Sequence, residues 1–281
     1  MAAARPRRLG LRLPTDAWVE LVERFLDAVD SARITALVVG DWGAADPPDT
    51  VKGPVALLGR SAGRLPDLRA LFIGDIVREE QDIAYIEQTD LAPLLGAYPR
   101  LEILGARGGS GLRLPTRTYP HLRELRLESG GMPREVVQAV AGSVFPELRR
   151  LDIWLGIGSY GGNATVEDLA GILDGAGLPA LSHLGLMDSE ISDEIATALA
   201  SAPIVARLKE LDLSMGTLSN AGAEVLLAGQ PLTHLARLDA RHHFLDEATQ
   251  LCLRNALAGV DVDLSDTRND WGGNRYVEVS E

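Results

Sequence analysis

A chain of 281 residues with 46% apolar side chains and a single cysteine is long enough to bury a continuous core and cannot form an intrachain disulfide. Its formal charge of −13, from 40 acidic and 27 basic side chains, repels phosphate backbones and argues against nucleic acid as a partner. No run approaches the ~18 continuous apolar residues of a membrane span, and the start, with Arg5, Arg7 and Arg8 before Leu-Gly-Leu-Arg-Leu-Pro, is too charged for a signal peptide; a reducing, cytoplasmic setting is expected.

Leu9, Leu11 and Leu13 alternate with Gly10 and Arg12, as an edge or capping strand would. From Asp16 to Val29 the apolar residues Val19, Val22, Phe25, Leu26 and Val29 recur at helical spacing, with Glu20, Glu23 and Asp27 outside. Ile34, Leu37 and Val39 supply the first strand. Residues 43–53, with Pro47, Pro48, Gly43 and Gly53, read as an excursion loop. A short helix over Val55–Leu65 precedes the strand at Leu68. A second, acidic excursion follows, carrying Asp75, Glu79, Glu80, Asp82, Glu87 and Asp90 against Arg78 alone, and Leu91–Ala97 is a helical return.

The spacing Leu208-Leu211-Leu213, in Leu-Lys-Glu-Leu-Asp-Leu-Ser, is an L-x-x-L-x-L unit. It recurs at Leu68-Leu71-Ile73, Leu122-Leu125-Leu127, Leu148-Leu151-Ile153, Leu181-Leu184-Leu186 and Leu235-Leu238-Ala240. This is the strand segment of a leucine-rich repeat. Counting from Ile34 through Leu68, Leu101, Leu122, Leu148, Leu181, Leu208 and Leu235, the intervals are 34, 33, 21, 26, 33, 27 and 27 residues. Intervals near 27 hold one strand, one helix and two short loops, whereas 21 leaves no room for a full helix, so residues 108–120 should cross the convex side extended. Later helices are marked by Pro133, by the capping-box spacing Thr165-Val-Glu-Asp168, and by apolar stripes at Asp193–Ala200, Asn220–Leu227 and Glu247–Leu257. Cys252, between Leu251 and Leu253, reads as a buried small hydrophobe on the last of these.

The expected fold is therefore an α/β leucine-rich-repeat horseshoe, a single domain over 1–281 with a parallel concave sheet and convex helices. An N-terminal cap is expected at about 1–32 and a C-terminal cap at about 259–281, the latter covering the last repeat. Because side chains alternate across a strand, residues between the leucines line the open inner face. In the middle and C-terminal repeats these include Glu124, Arg126, Glu128, Arg150, Asp152, Trp154, Asp212 and Arg237. Mixed charge beside a large aromatic suits a protein partner; the competing reading is that these charges pair with one another across strands.

Other polar groupings read more plainly as structural. Asp41, Asp75 and Asp188 follow strands, where a short carboxylate binds its own loop amides. Arg241-His242-His243-Phe244 lacks further ligands at metal spacing. The glycine runs 108–111 and 156–162 match neither phosphate-binding pattern and read as flexible rim loops. No catalytic motif accompanies Cys252, no cofactor or metal is implied, and a non-enzymatic protein-binding scaffold, monomeric or weakly self-associating, is the leading expectation. The alternative is a carboxylate-based or metal-dependent hydrolase using the acidic loop 75–90.

The strand units, with Leu208–Gly216 and the following Leu218-Ser-Asn-Ala-Gly-Ala-Glu224, resemble the ribonuclease-inhibitor-like class of leucine-rich repeats, which implies a horseshoe that binds proteins through its concave sheet and rims. Gly40-Asp-Trp42, Leu71-Phe-Ile-Gly-Asp75, Leu151-Asp-Ile-Trp-Leu-Gly156 and Arg275-Tyr-Val-Glu-Val-Ser280 resemble a bacterial cytoplasmic leucine-rich-repeat family of uncharacterised function.

Overall fold

The computed structural model describes residues 15–42 and 53–280. The strand expected at Leu9–Leu13 and the prolines of the first excursion, Pro47 and Pro48, lie outside the described residues.

Each repeat contributes one short strand, and the strands stack in chain order. They are β1 (Ala36–Val39), β2 (Ala70–Ile73), β3 (Ile103–Arg107), β4 (Glu124–Glu128), β5 (Arg150–Gly156), β6 (His183–Ser189), β7 (Glu210–Asp212), β8 (Arg237–Asp239) and β9 (Asp261–Asp263). Every neighbouring pair is parallel, forming a single sheet. Parallel neighbours require the chain to return on one side of the sheet each time; α1 (Thr15–Ala28) precedes β1, and the returns hold α2 (Pro54–Arg60), α3 (Ala92–Ala97), α4 (Arg134–Ala141), α5 (Ala170–Asp174), α6 (Ser192–Leu199), α7 (Asn220–Ala228) and α8 (Glu247–Ala256).

The register carries the repeat. Leu37, Leu71, Leu104, Leu125, Leu151, Leu184, Leu211, Leu238 and Val262 pair in one row across all nine strands. From Leu71 to Leu238 the row is buried in one continuous apolar cluster with the inner faces of the helices. A one-residue slip in any strand would turn its leucines to the open face, so burial itself holds the register.

No helix separates β3 from β4, as the 21-residue interval requires. The extended crossing fills the missing volume with Leu112, Leu114 and Tyr119, whose ring stacks on Phe145 at 4.8 Å between centroids. Short parallel bridges, Glu87 with Ser110, Asp90 with Arg113 and Thr118 with Val144, tie this segment to its neighbours. The later helices follow their sequence marks within a residue or two. Asp168 closes the capping box by accepting the Thr165 amide at 2.9 Å, and Pro133 sits just before α4.

Several expectations need correction. On α1, Trp18 and Leu26 enter the core, while Phe25 and Val29 stay exposed. Cys252 is exposed, because the inward stripe of α8 is Thr249, Leu253 and Leu257 at four-residue spacing. The glycine runs are close-packed supports. Gly156 has φ +67°, and a Cβ there would lie 2.0 Å from the Gly130 carbonyl oxygen; Gly108, at φ +106°, would meet Ile86 O at 2.3 Å. Only glycine lets the backbones approach this closely.

Candidate functional site

Strand pairing sets the expected residues in rows on the open face. One row runs Ile103, Glu124, Arg150, His183, Glu210, Arg237 and Asp261; the next runs Gly105, Arg126, Asp152, Gly185, Asp212, Asp239 and Asp263. Glu128 lies further along, opposite Arg107, and Trp154 lies opposite Met187. The eight residues singled out from sequence thus share one face of one sheet.

Their charges are largely matched across strands. Arg107 Nε donates to Glu128 Oε2 at 2.7 Å, and Arg150 Nε to Asp152 Oδ2 at 2.7 Å. Arg126 lies between Glu124 and Asp152. Arg237 contacts Asp239, Asp261 and Asp263 at 3.0, 2.5 and 2.9 Å. Sequence reasoning gave His183 no role, yet it bridges two repeats, with Nε2 2.7 Å from Asp152 Oδ1 and Nδ1 2.8 Å from Glu210 Oε2. Burial alone would lower the imidazole's pKa, but hydrogen bonds and charge from Asp152, with Glu210 adding to them, raise it above its ordinary value. Burial likewise pushes the Asp152 carboxyl up, and the opposing contacts from His183 and Arg150 bring it below the usual range.

Asp212 is different. It is buried and accepts the Ser214 amide at 2.9 Å, and among the described residues no cation pairs with it. Burial raises its pKa, and the nearby carboxylates of Asp239 and Asp152 push it the same way. Gly185, its neighbour in the row, supplies no side chain between Asp152 and Asp212.

Trp154 departs from expectation. The strand does point it to the open face, but it is half-buried against a second apolar cluster formed by Ile76, Ile83 and Ile86, with Trp42 and Val279. Those isoleucines belong to the acidic excursion, which folds over this end of the face. Its carboxylates engage local groups: Glu80 accepts the Val77 amide at 3.2 Å, Asp90 accepts the Ala92 amide at 2.8 Å, and Asp82 lies 3.7 Å from Arg78. Among the described residues no group of three or more His, Cys, Asp or Glu could hold a metal ion. His242 instead donates to Tyr276 O at 3.0 Å; His243 donates to Leu264 O at 3.1 Å and accepts the Leu245 amide at 3.1 Å.

The protein is a leucine-rich-repeat horseshoe. No family model matches the chain, and no curated protein matches it. Among solved structures, a protein from Bacteroides fragilis superposes with a TM-score of 0.85 at 26% identity, covering 96% of this chain and 76% of that one. An internalin from Listeria monocytogenes matches at 13% identity and a TM-score of 0.36 over 93% of this chain and 94% of its own. A leucine-rich-repeat protein from Leptospira interrogans matches at 12% and 0.23 over 84% and 74%; neither of these two carries an argument. No described helix is long and apolar enough to cross a membrane.

The C-terminal segment reaches beyond the last strand. It does not stop at the last repeat: Val279 N donates to Asp188 Oδ1 at 2.9 Å, back at the C-terminal end of β6. Asp188, expected to follow a strand and bind its own loop, instead lies within β6 and binds this distant segment. Only the alternation of Val277 and Val279 with Tyr276 and Glu278 hinted at an extended segment in search of an apolar groove.

Proposed function

We propose that the protein is a non-enzymatic scaffold that docks a partner protein on its concave sheet, through Glu124, Arg126, Glu128, Arg150, Asp152, Asp212 and Arg237, with Trp154 at the rim of the contact. The observation that carries the reading is Asp212, a buried carboxylate on the open face with no cationic partner among the described residues, flanked by the gap at Gly185. A basic side chain brought by a partner would satisfy it. Interfaces gain most from a few such desolvated contacts, and paired charges around them mainly fix register. The net charge of −13 favours a basic partner surface over a nucleic acid. The repeat interval near 27 residues and the strand-helix alternation support membership of the ribonuclease-inhibitor-like class. A lone cysteine fits a reducing cytoplasm, and a monomer or weak homo-oligomer is the form we infer.

Affinity capture from a cell extract, comparing wild type with Asp212→Asn and with an Arg126→Glu, Arg150→Glu double variant, tests the placement. Partners should be lost from both variants while their melting curves stay cooperative. An identical set of captured proteins for all three would refute the assignment to this face.

A further inference from the structure

After the turn Trp271–Asn274, closed by Trp271 N to Asn274 O at 2.9 Å, the chain leaves the last repeat and runs back over the turns that follow earlier strands. Arg275 Nη1 donates to Asp193 Oδ2 and to Thr217 O, each at 2.7 Å. The Tyr276 carbonyl accepts from His242, and the Tyr276 ring packs edge-on against His242 and Phe244. Glu278 N then donates to Met215 O at 2.8 Å, Val279 N donates to Asp188 Oδ1, and the Ser280 carbonyl lies against Gly130, where a Cβ would sit 2.5 Å away. The segment therefore crosses, in turn, the turns after β8 and β7, the end of β6 and the turn after β4.

This is the geometry of a bound peptide. The side chains alternate, with Val277 buried and Val279 against Ile76, Ile83, Ile86, Trp42 and Trp154, while Glu278 faces out and the half-exposed Tyr276 ring lies along the rim against His242 and Phe244. Three of its main-chain groups are hydrogen-bonded, Glu278 N to Met215 O and two others to the His242 and Asp188 side chains, and its two valines face the protein at alternate positions, as extended peptides do when they bind. A cap would serve the last strand, whose edge is the unpaired one. Yet among the described residues β9 pairs only with β8, and the segment, instead of covering that edge, spreads its contacts over repeats one to five places back along the sheet.

We propose that the rim groove from His242 to Gly130 is a receptor site for an extended peptide with apolar side chains at alternate positions behind a basic residue, and that Arg275–Ser280 is its resident occupant. A partner presenting the same pattern displaces the tail. The groove shares Trp154 with the edge of the open face but uses none of its charged rows, so the peptide test below reads it apart from the docking proposal above.

The tether gives the tail an effective concentration of roughly 1 mM. For an intrinsic dissociation constant on the order of 10 μM, the resident tail weakens a free peptide about 100-fold by simple competition. A fluorescent peptide of sequence Arg-Tyr-Val-Glu-Val-Ser, followed by polarisation, is the probe. The full-length Val279→Asp variant puts a carboxylate where the isoleucine cluster requires an apolar group and so frees the tail. Its expected affinity for the peptide is about 100-fold above wild type, and a peptide with both valines replaced by Asp should bind neither protein. Folded Val279→Asp protein that ignores the peptide, or equal binding by wild type and variant, would overturn the proposal. If Val279→Asp loses cooperative melting, Arg275→Glu, which breaks the exposed contact to Asp193, takes its place; loss of fold in both would also overturn it, by making the tail part of the core.

Discussion

Replacing Asp188 by Asn leaves the shape and the acceptor for the Val279 amide in place and removes the ability to ionise. The position has φ +50°, which Asn tolerates better than most residues, so backbone strain changes little. In the wild type the carboxyl is fully buried, and its Oδ2 has no hydrogen-bond partner. Burial pushes its pKa up to about 8; the hydrogen bond from Val279 opposes this, and the charge of Glu278 adds to it. The folded state therefore keeps a proton that the unfolded chain, at the ordinary 3.8, has released. This proton stabilises the fold fully below about pH 4, and the contribution is lost as pH rises through about 8. Each unit is worth ~1.4 kcal/mol, so between about pH 5 and pH 8 the wild type loses up to about 4 kcal/mol that the Asn variant keeps. Release of the tail alone lets water reach the carboxylate, which sets a lower ceiling than global unfolding would. Urea unfolding of both proteins at about pH 5 and about pH 8.5 gives the difference directly, since every other titrating group is common to the two. Parallel pH profiles for wild type and Asp188→Asn would refute the reasoning.

Three further outcomes follow from the packing and the charged rows. Leu151→Ala, at the centre of the buried leucine row, should cost about 2–5 kcal/mol in urea unfolding; a loss under about 1 kcal/mol would mean that adjacent layers are not interlocked. An NMR titration of the His183 ring should show a midpoint above 6.5, shifting down in Asp152→Asn, because the carboxylate is the larger of its two supports. The stability that this proton contributes is present below about pH 6.5 and lost above the raised midpoint. Cys252 should react fully with a thiol reagent in the native state without loss of helical signal, since it faces solvent from α8.

The fold was legible because its defining pattern is local. Three aliphatic positions within six residues specify one buried strand, and repetition then fixes both the parallel pairing and which residues reach the open face. Even the missing helix between β3 and β4 was visible as a short interval. The errors came from residues whose surroundings are supplied by distant chain. Cys252 looked buried beside two leucines, but a helix buries every third or fourth residue, and Thr249, Leu253 and Leu257 had already claimed that stripe. Trp154 was placed on the correct face, and its covering went unseen because attention to the carboxylates of the 75–90 excursion passed over Ile76, Ile83 and Ile86 among them.

The concave charges and the rim groove differ in how far the chain satisfies itself. Along the open face, Arg237 and Arg150 engage carboxylates on their own or neighbouring strands, so most of that surface is neutralised before any partner arrives. The more exposed of these pairs, such as Arg237 with Asp261, contribute little individually to stability, and opening them to a partner costs correspondingly little. Asp212 breaks the pattern because the strand beside it carries Gly185, which can offer no counter-charge. At the rim the chain reverses the logic: five apolar side chains contributed by β1's exit, the acidic excursion and β5 form a cluster against which Val279, from far along the sequence, packs. A solenoid exposes every repeat to solvent on the same edge, and one extended segment can therefore span several repeats at once. That geometry makes the tail an economical occupant of the groove, and it makes a partner segment with the same alternation an equally good one.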